Sequence, residues 1–119
     1  MTILELVFKS VYTARSKGWG GERSFGDLIA LMHSELSEAL EEFRNGKRYD
    51  EIYFVLDDGK PKGIPIELAD CIIRIALFCG EYHIDLEEAL ELKMKYNENR
   101  DFRHEGRKIW NSGMNLKLH

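Results

Sequence analysis

The sequence predicts an all-α protein, a four-helix core that assembles into an oligomeric helical bundle. Three observations carry this reading. The only two prolines, Pro61 and Pro65, sit close together and leave the rest of the 119 residues uninterrupted. Apolar residues recur at three- and four-residue spacing over long stretches. Three of those stretches open on a pair with capping-box spacing: Thr2/Glu5, Ser24/Asp27 and Asp85/Glu88.

Helix 1 is expected over about 2–17, with Ile3, Leu4, Val7, Val11 and Ala14 on one face and "KGWGG" ending it. Helix 2 starts at Ser24, with Asp27 in place of the usual Glu or Gln. It carries Leu28, Leu31, Met32, Leu36, Ala39, Leu40 and Phe43 at helical period and stops at "NG" 45–46. Residues 47–64, "KRYDEIYFVLDDGKPKGI", pass from an apolar run to a turn-rich one, and fit a small hairpin or an irregular loop equally well. Pro65 suits a first helical turn, so helix 3 runs from there to Cys79, with Gly80 ending it. Helix 4 follows Asp85 and runs to about Arg100. A single domain spanning 1–119 is expected, its core over about 2–100 and a polar tail over 101–119 in which Phe102, Ile109 and Trp110 are scattered.

Hydrophobic residues make up 44% and charged residues 32%, a balance that suits a globular protein. A net charge of -4 argues against stable nucleic-acid binding or a membrane-surface role, though not against small phosphorylated ligands. No apolar stretch approaches the roughly 20 residues of a membrane span. The N-terminus "MTILELVFKS" lacks the features of a secretory signal. Cys71 and Cys79, eight apart on one helix, would be about 12 Å apart, too far for a disulfide. Reduced thiols in a cytoplasmic protein are the simplest reading.

The stretch "HSELSEALEE" decides the search for chemistry. On a wheel of about 100° per residue with Leu28 at zero, the apolar residues of helix 2 fill an arc from about 300° to 120°. Glu35 falls inside that arc, Glu38 at its edge and Glu41 outside it, while Glu42 is ambiguous. Helix 3 is apolar almost all round, and its only charged residues, Glu67, Asp70 and Arg74, share a sector of about 60°. A buried carboxylate must be paired, hydrogen-bonded or metal-bound. Alternatively the stripe is the one wet face of helix 3, with Arg74 pairing Asp70 at i+4. Four oxygen donors on two packed helices suit a hard cation, Mg²⁺ or Mn²⁺. Neither pair contains the histidine a di-iron bundle would offer. On helix 4, Lys93, Asn97 and Arg100 continue the arc of Leu86, Ala89 and Leu90. They read either as a phosphate clamp facing the metal cluster or as a solvated C-terminal turn favoured by the helix dipole.

Glu35-x-x-Glu38, then Glu67-x-x-Asp70, then Lys93-x-x-x-Asn97-x-x-Arg100 together resemble the MazG-like all-α nucleoside triphosphate pyrophosphohydrolases. "LIALMHSELSEALEEFR" and "GKPKGIPIELADCIIRI" are similar to the short single-domain phage and bacterial members, and the resemblance covers about residues 5–108. It implies the family's four-helix fold and Mg²⁺-dependent hydrolysis of a nucleoside triphosphate to monophosphate and pyrophosphate. It implies that Glu35, Glu38, Glu67 and Asp70 ligate the metal, that Lys93 and Asn97 contact the nucleotide with Arg100 nearby, and that the chain forms a dimer or tetramer. Residues 47–64 depart from the shorter turn of many members.

On that reading a metal-bound water attacks the α-phosphorus. Glu38 is essential to turnover, Lys93 and Arg100 stabilise the β- and γ-phosphates, Asn97 donates a hydrogen bond, and Glu42 orients the water. Trp19 could stack on the base, although packing the end of helix 1 is the simpler role. His33, near 140° on the wheel, reads as a buried or interface residue. Tyr96 and Phe78 read as packing residues. Arg103, His104, Arg107 and Lys108 make the tail basic, exposed by default or reaching a partner subunit's phosphate site. Two other functions fit the same sequence: a non-enzymatic helical oligomerisation module, and a metal-dependent hydrolase of another or modified nucleotide.

Overall fold

The computed structural model describes residues 1–19 and 23–101. The expected polar tail beyond 101 lies outside the described residues. Four α-helices and one two-stranded ribbon are described: α1 Ile3–Ser16, α2 Phe25–Arg44, β1 Tyr53–Phe54, β2 Pro61–Lys62, α3 Ile64–Glu81 and α4 Leu86–Asn99. The chain divides into two compact units, the first Met1–Glu87 and the second beginning at Glu88. No helix among the described residues is long and apolar enough to cross a membrane.

Both N-terminal capping boxes form. Thr2 Oγ1 accepts from the Glu5 N–H at 3.0 Å while Glu5 accepts from the Thr2 N–H at 2.8 Å. Ser24 and Asp27 repeat the arrangement on α2. Such caps each contribute about 1 kcal/mol by satisfying the otherwise orphaned donors of the first turn.

In the first unit, α3 packs against α1 on one side and α2 on the other. The α1 contact depends on Gly80. It does not end helix 3, as the sequence suggests; it lies inside α3, where an added Cβ would meet Val11 Cγ2 and lie 3.1 Å from Val7 Cγ1. A missing side chain there lets the two helix backbones approach. The α2 contact runs along Leu28, Leu31, Met32, Glu35, Ala39 and Glu42, the side that is buried or half-buried. The apolar arc of helix 2 therefore splits. Leu36, Leu40 and Phe43, at about 60° to 120° on the wheel, are 48%, 47% and 65% exposed. His33, beside them, is exposed rather than buried in the chain.

Residues 47–64 resolve into a hairpin. Tyr53 pairs with Lys62 and Phe54 with Pro61, antiparallel, and the Val55 N–H donates to the Lys60 carbonyl at 2.9 Å. The hairpin hands the chain to α3 through Gly63. Its φ of 125° is a conformation side-chain-bearing residues rarely adopt, and a Cβ there would collide with the Glu51 carbonyl oxygen. The Gly63 carbonyl accepts from the Ile66 and Glu67 N–H groups, both at 3.0 Å, so this residue also starts the helix.

No residue of α4, which begins in the first unit and continues into the second, is buried. Leu86, at its start, is half-buried. Leu92, Met94 and Tyr96 are 66%, 61% and 60% exposed.

Gly63→Ala should destabilise the protein by about 1–3 kcal/mol, the range for a strained backbone residue. The shift in urea midpoint measures it; an unchanged midpoint would show that the hairpin does not need this close approach.

Candidate metal centre

The seam between α2 and α3 is where the carboxylates meet. Residues three and four apart on a helix share a face. Glu35, Glu38 and Glu42 therefore line one side of α2, and Glu67, Asp70 and Arg74 line one side of α3. One carboxylate oxygen each from Glu35, Glu38 and Glu67 lies within 4.8 Å of the others. Glu35 and Glu67 are buried and Glu38 is open to solvent. Glu41 is exposed and belongs to the wet face, as the wheel places it.

The helix 3 stripe is thus not the wet face of that helix, because Glu67 is 7% exposed. Arg74 does not turn back to pair with Asp70 either. Its Nε donates to Glu35 Oε1 across the seam at 3.0 Å. Asp70, assigned from sequence to the same ligand set, lies outside the three-residue group. Its carboxyl is held above the usual range, first by burial and then by Glu35, while Arg74 and Lys60 pull it back down. Glu67 is raised first by burial, then by the negative charges of Glu38, Asp70, Glu35 and Glu42.

Glu42, ambiguous on the wheel, is buried, and the Tyr53 hydroxyl lies 2.9 Å from each of its carboxylate oxygens. That contact raises the Tyr53 hydroxyl above its ordinary value, with burial and the charges of Glu42, Glu51 and Glu67 acting the same way. Lys47 Nζ lies 4.1 Å from the centre of the Tyr53 ring on the other side. A cleft of about 200 Å³ opens here, lined by Glu38, Glu41 and Glu42 from α2, Tyr53 and Lys62 from the hairpin, and Glu67 from α3. Sequence reasoning missed Tyr53 and Lys62. The turn signal in "DDGKPKG" could have paired them, but nothing local says which helix the hairpin lies over.

The expected substrate contacts belong to the second unit. Lys93 and Asn97 are exposed on α4 and Arg100 follows its end, all in the second unit. Lys93 Nζ lies 4.9 Å from the centre of the Tyr96 ring. Trp19 is not packed into the core; it is 63% exposed, while its backbone N–H donates to the Ala14 carbonyl at 2.8 Å. Phe78 is a packing residue, buried edge-on to Phe25 at 5.1 Å between ring centres. Cys71 and Cys79 are free and buried.

The donor set fits a hard divalent cation. It is all carboxylate oxygen, and one of the three donors faces water, which suits an ion such as Mg²⁺ that keeps several waters. The crowding around Glu67 is what such an ion would relieve. No protein-family model, curated protein or solved structure matches this chain.

Two outcomes follow from this geometry. Because folding raises Glu67's proton affinity, its contribution to stability is full below its ordinary value of 4.5 and is lost as pH rises through the folded value. In chelator, Glu67→Gln should therefore raise Tm at neutral pH and flatten its decline between mildly acid and neutral pH. Equal slopes for the two proteins would contradict the crowding. Tyr53→Phe leaves the buried Glu42 carboxylate without its hydroxyl donor and should cost about 1–3 kcal/mol in urea unfolding.

Proposed function

We propose that this protein is a cytoplasmic, Mg²⁺-dependent nucleoside triphosphate pyrophosphohydrolase of the MazG-like type, with Mn²⁺ a possible substitute. It releases monophosphate and pyrophosphate. The observation that carries the reading is the convergence of Glu35, Glu38 and Glu67 within 4.8 Å, with the Glu67 carboxyl pushed up by burial and then by like charges. Leaving such a group buried and ionised costs several kcal/mol, and a polyphosphate-bound cation offsets that cost.

Glu35, Glu38 and Glu67 would hold the ion, with Asp70 the next carboxylate along α3. When bound, the ion supplies charge neutralisation on the phosphates and a water of lowered pKa for attack at the α-phosphorus. Glu42, fixed by Tyr53, orients that water from the same cleft. Arg74 holds Glu35 in place from the far side of the seam. Lys93, Asn97 and Arg100 remain the proposed phosphate contacts of the second unit, and Trp19 the proposed base-stacking residue. The exposed Leu36, Leu40 and Phe43, together with Leu68, Ile72 and Ile73 on α3, support burial against further copies in a dimer or tetramer.

A second reading has its own support. The Arg74–Glu35 pair at 3.0 Å is what a non-enzymatic helical oligomer with structural ion pairs would contain. The two readings separate on metal. The enzyme is stabilised by divalent ions, by about 2.7 kcal/mol at a hundredfold excess over Kd; the module is not.

The deciding experiment incubates the protein with each common ribo- and deoxyribonucleoside triphosphate, with Mg²⁺ and with chelator, and separates the products. Monophosphate plus pyrophosphate, lost in chelator, is expected. Diphosphate plus phosphate would refute attack at the α-phosphorus, and no turnover would point to a modified nucleotide or to the module. Glu38→Gln, at an exposed position, should keep the fold. It should lower kcat by more than about a hundredfold, beyond the loss of a mere outer-shell partner.

A further inference from the structure

We propose that Lys62, carried by β2 of the hairpin, is a substrate-binding cation that meets the phosphate chain over the carboxylate cluster. The inference rests on the polyphosphate reading above and adds to it a residue outside the acidic helices and outside α4.

The register of the ribbon supplies the first argument. Lys62 and Tyr53 are directly opposed in the antiparallel pair, and opposed residues project to the same face. Tyr53 places its hydroxyl on Glu42, so the face that carries Lys62 is the one turned toward the carboxylates. Both residues line the same cleft as Glu38 and Glu67. Gly63 and its approach to Glu51 hold β2 at the start of α3, so the lysine is carried on a fixed segment.

The second argument is charge. Lys62 is half-buried, yet among the described residues it makes no ion pair within 4.0 Å, although Lys47 and Arg74 nearby each have a carboxylate partner. Burial, and then the negative charges of Glu38, Asp70, Glu35 and Glu42, raise Glu67. Lys60, by contrast, acts on Asp70. A lysine held in a carboxylate-lined cleft without a partner is suited to an anion that arrives with its own cation. A magnesium-bound polyphosphate has that composition, and an ammonium contacts phosphate as a point charge.

The test compares wild type, Lys62→Met and Lys62→Arg. Inorganic tripolyphosphate with Mg²⁺ is the probe, titrated by calorimetry, beside triphosphate turnover and urea unfolding. Lys62→Met should weaken tripolyphosphate binding and raise KM by about tenfold or more with stability unchanged, and Lys62→Arg should restore most of the affinity. Unchanged affinity in Lys62→Met, even with altered stability, would make the lysine a structural counter-ion and overturn the proposal. A wild type that binds no tripolyphosphate would overturn it as well. If Lys62 governs tripolyphosphate affinity but no triphosphate yields monophosphate, the assigned reaction fails while the phosphate contact stands.

Discussion

The first unit depends on one constraint: α2 and α3 meet along a seam that holds carboxylates where a small helical protein would ordinarily place leucines. Glu35, Glu42 and Glu67 are each at most 8% exposed. The buried apolar residues among those described are mostly small, namely Ala14, Ala39, Cys71, Ala76, Phe78 and Cys79. A seam of this kind is held by specific partners rather than by apolar area. Arg74 bonds Glu35 across it, Tyr53 caps Glu42, and the Cys71 thiol reaches the Met32 carbonyl at 3.5 Å. Glu67 is instead raised by burial and by the charges of four neighbouring carboxylates. That asymmetry favours the proposed metal site over a simply ion-paired interface.

The hairpin follows from the same constraint. An open α2–α3 seam would leave Glu42 and Glu67 to bulk water. The ribbon over residues 53–62 closes one end with Tyr53 and Lys62. It can do so because Gly63 turns the chain tightly past Glu51 into α3. A residue with a side chain at that point would displace the ribbon, and with it Lys62, the one cation that lines the carboxylate cleft among the described residues. Position and charge are thus set by backbone geometry several residues away.

Much of the site was legible locally. The i, i+3 spacing of Glu35/Glu38 and of Glu67/Asp70 puts each pair on one helix face whatever the fold, and the wheel correctly separated Glu35 from Glu41. It was less able to divide the broad apolar arc of α2. Leu36 and Glu35 both lie within that arc, but the partner helix covers only the side centred on Glu35. Gly80 was read as a stop signal because glycine commonly ends helices. Its actual role, close approach to Val7 and Val11, belongs to a contact between residues some seventy positions apart, which is beyond any local pattern.

By itself the sequence determined the helices, the capping boxes of α1 and α2, the free and separated cysteines, and the two acidic pairs, because each depends on neighbours within one or two turns. Tertiary structure alone decided that Arg74 bonds Glu35 instead of Asp70, that Glu38 is open while Glu67 is enclosed, and that Tyr53 and Lys62 face the carboxylates. The physical reason is common to all three. Burial and charge pairing arise where distant segments exclude water together, and helical periodicity specifies which residues share a face without specifying what that face will meet.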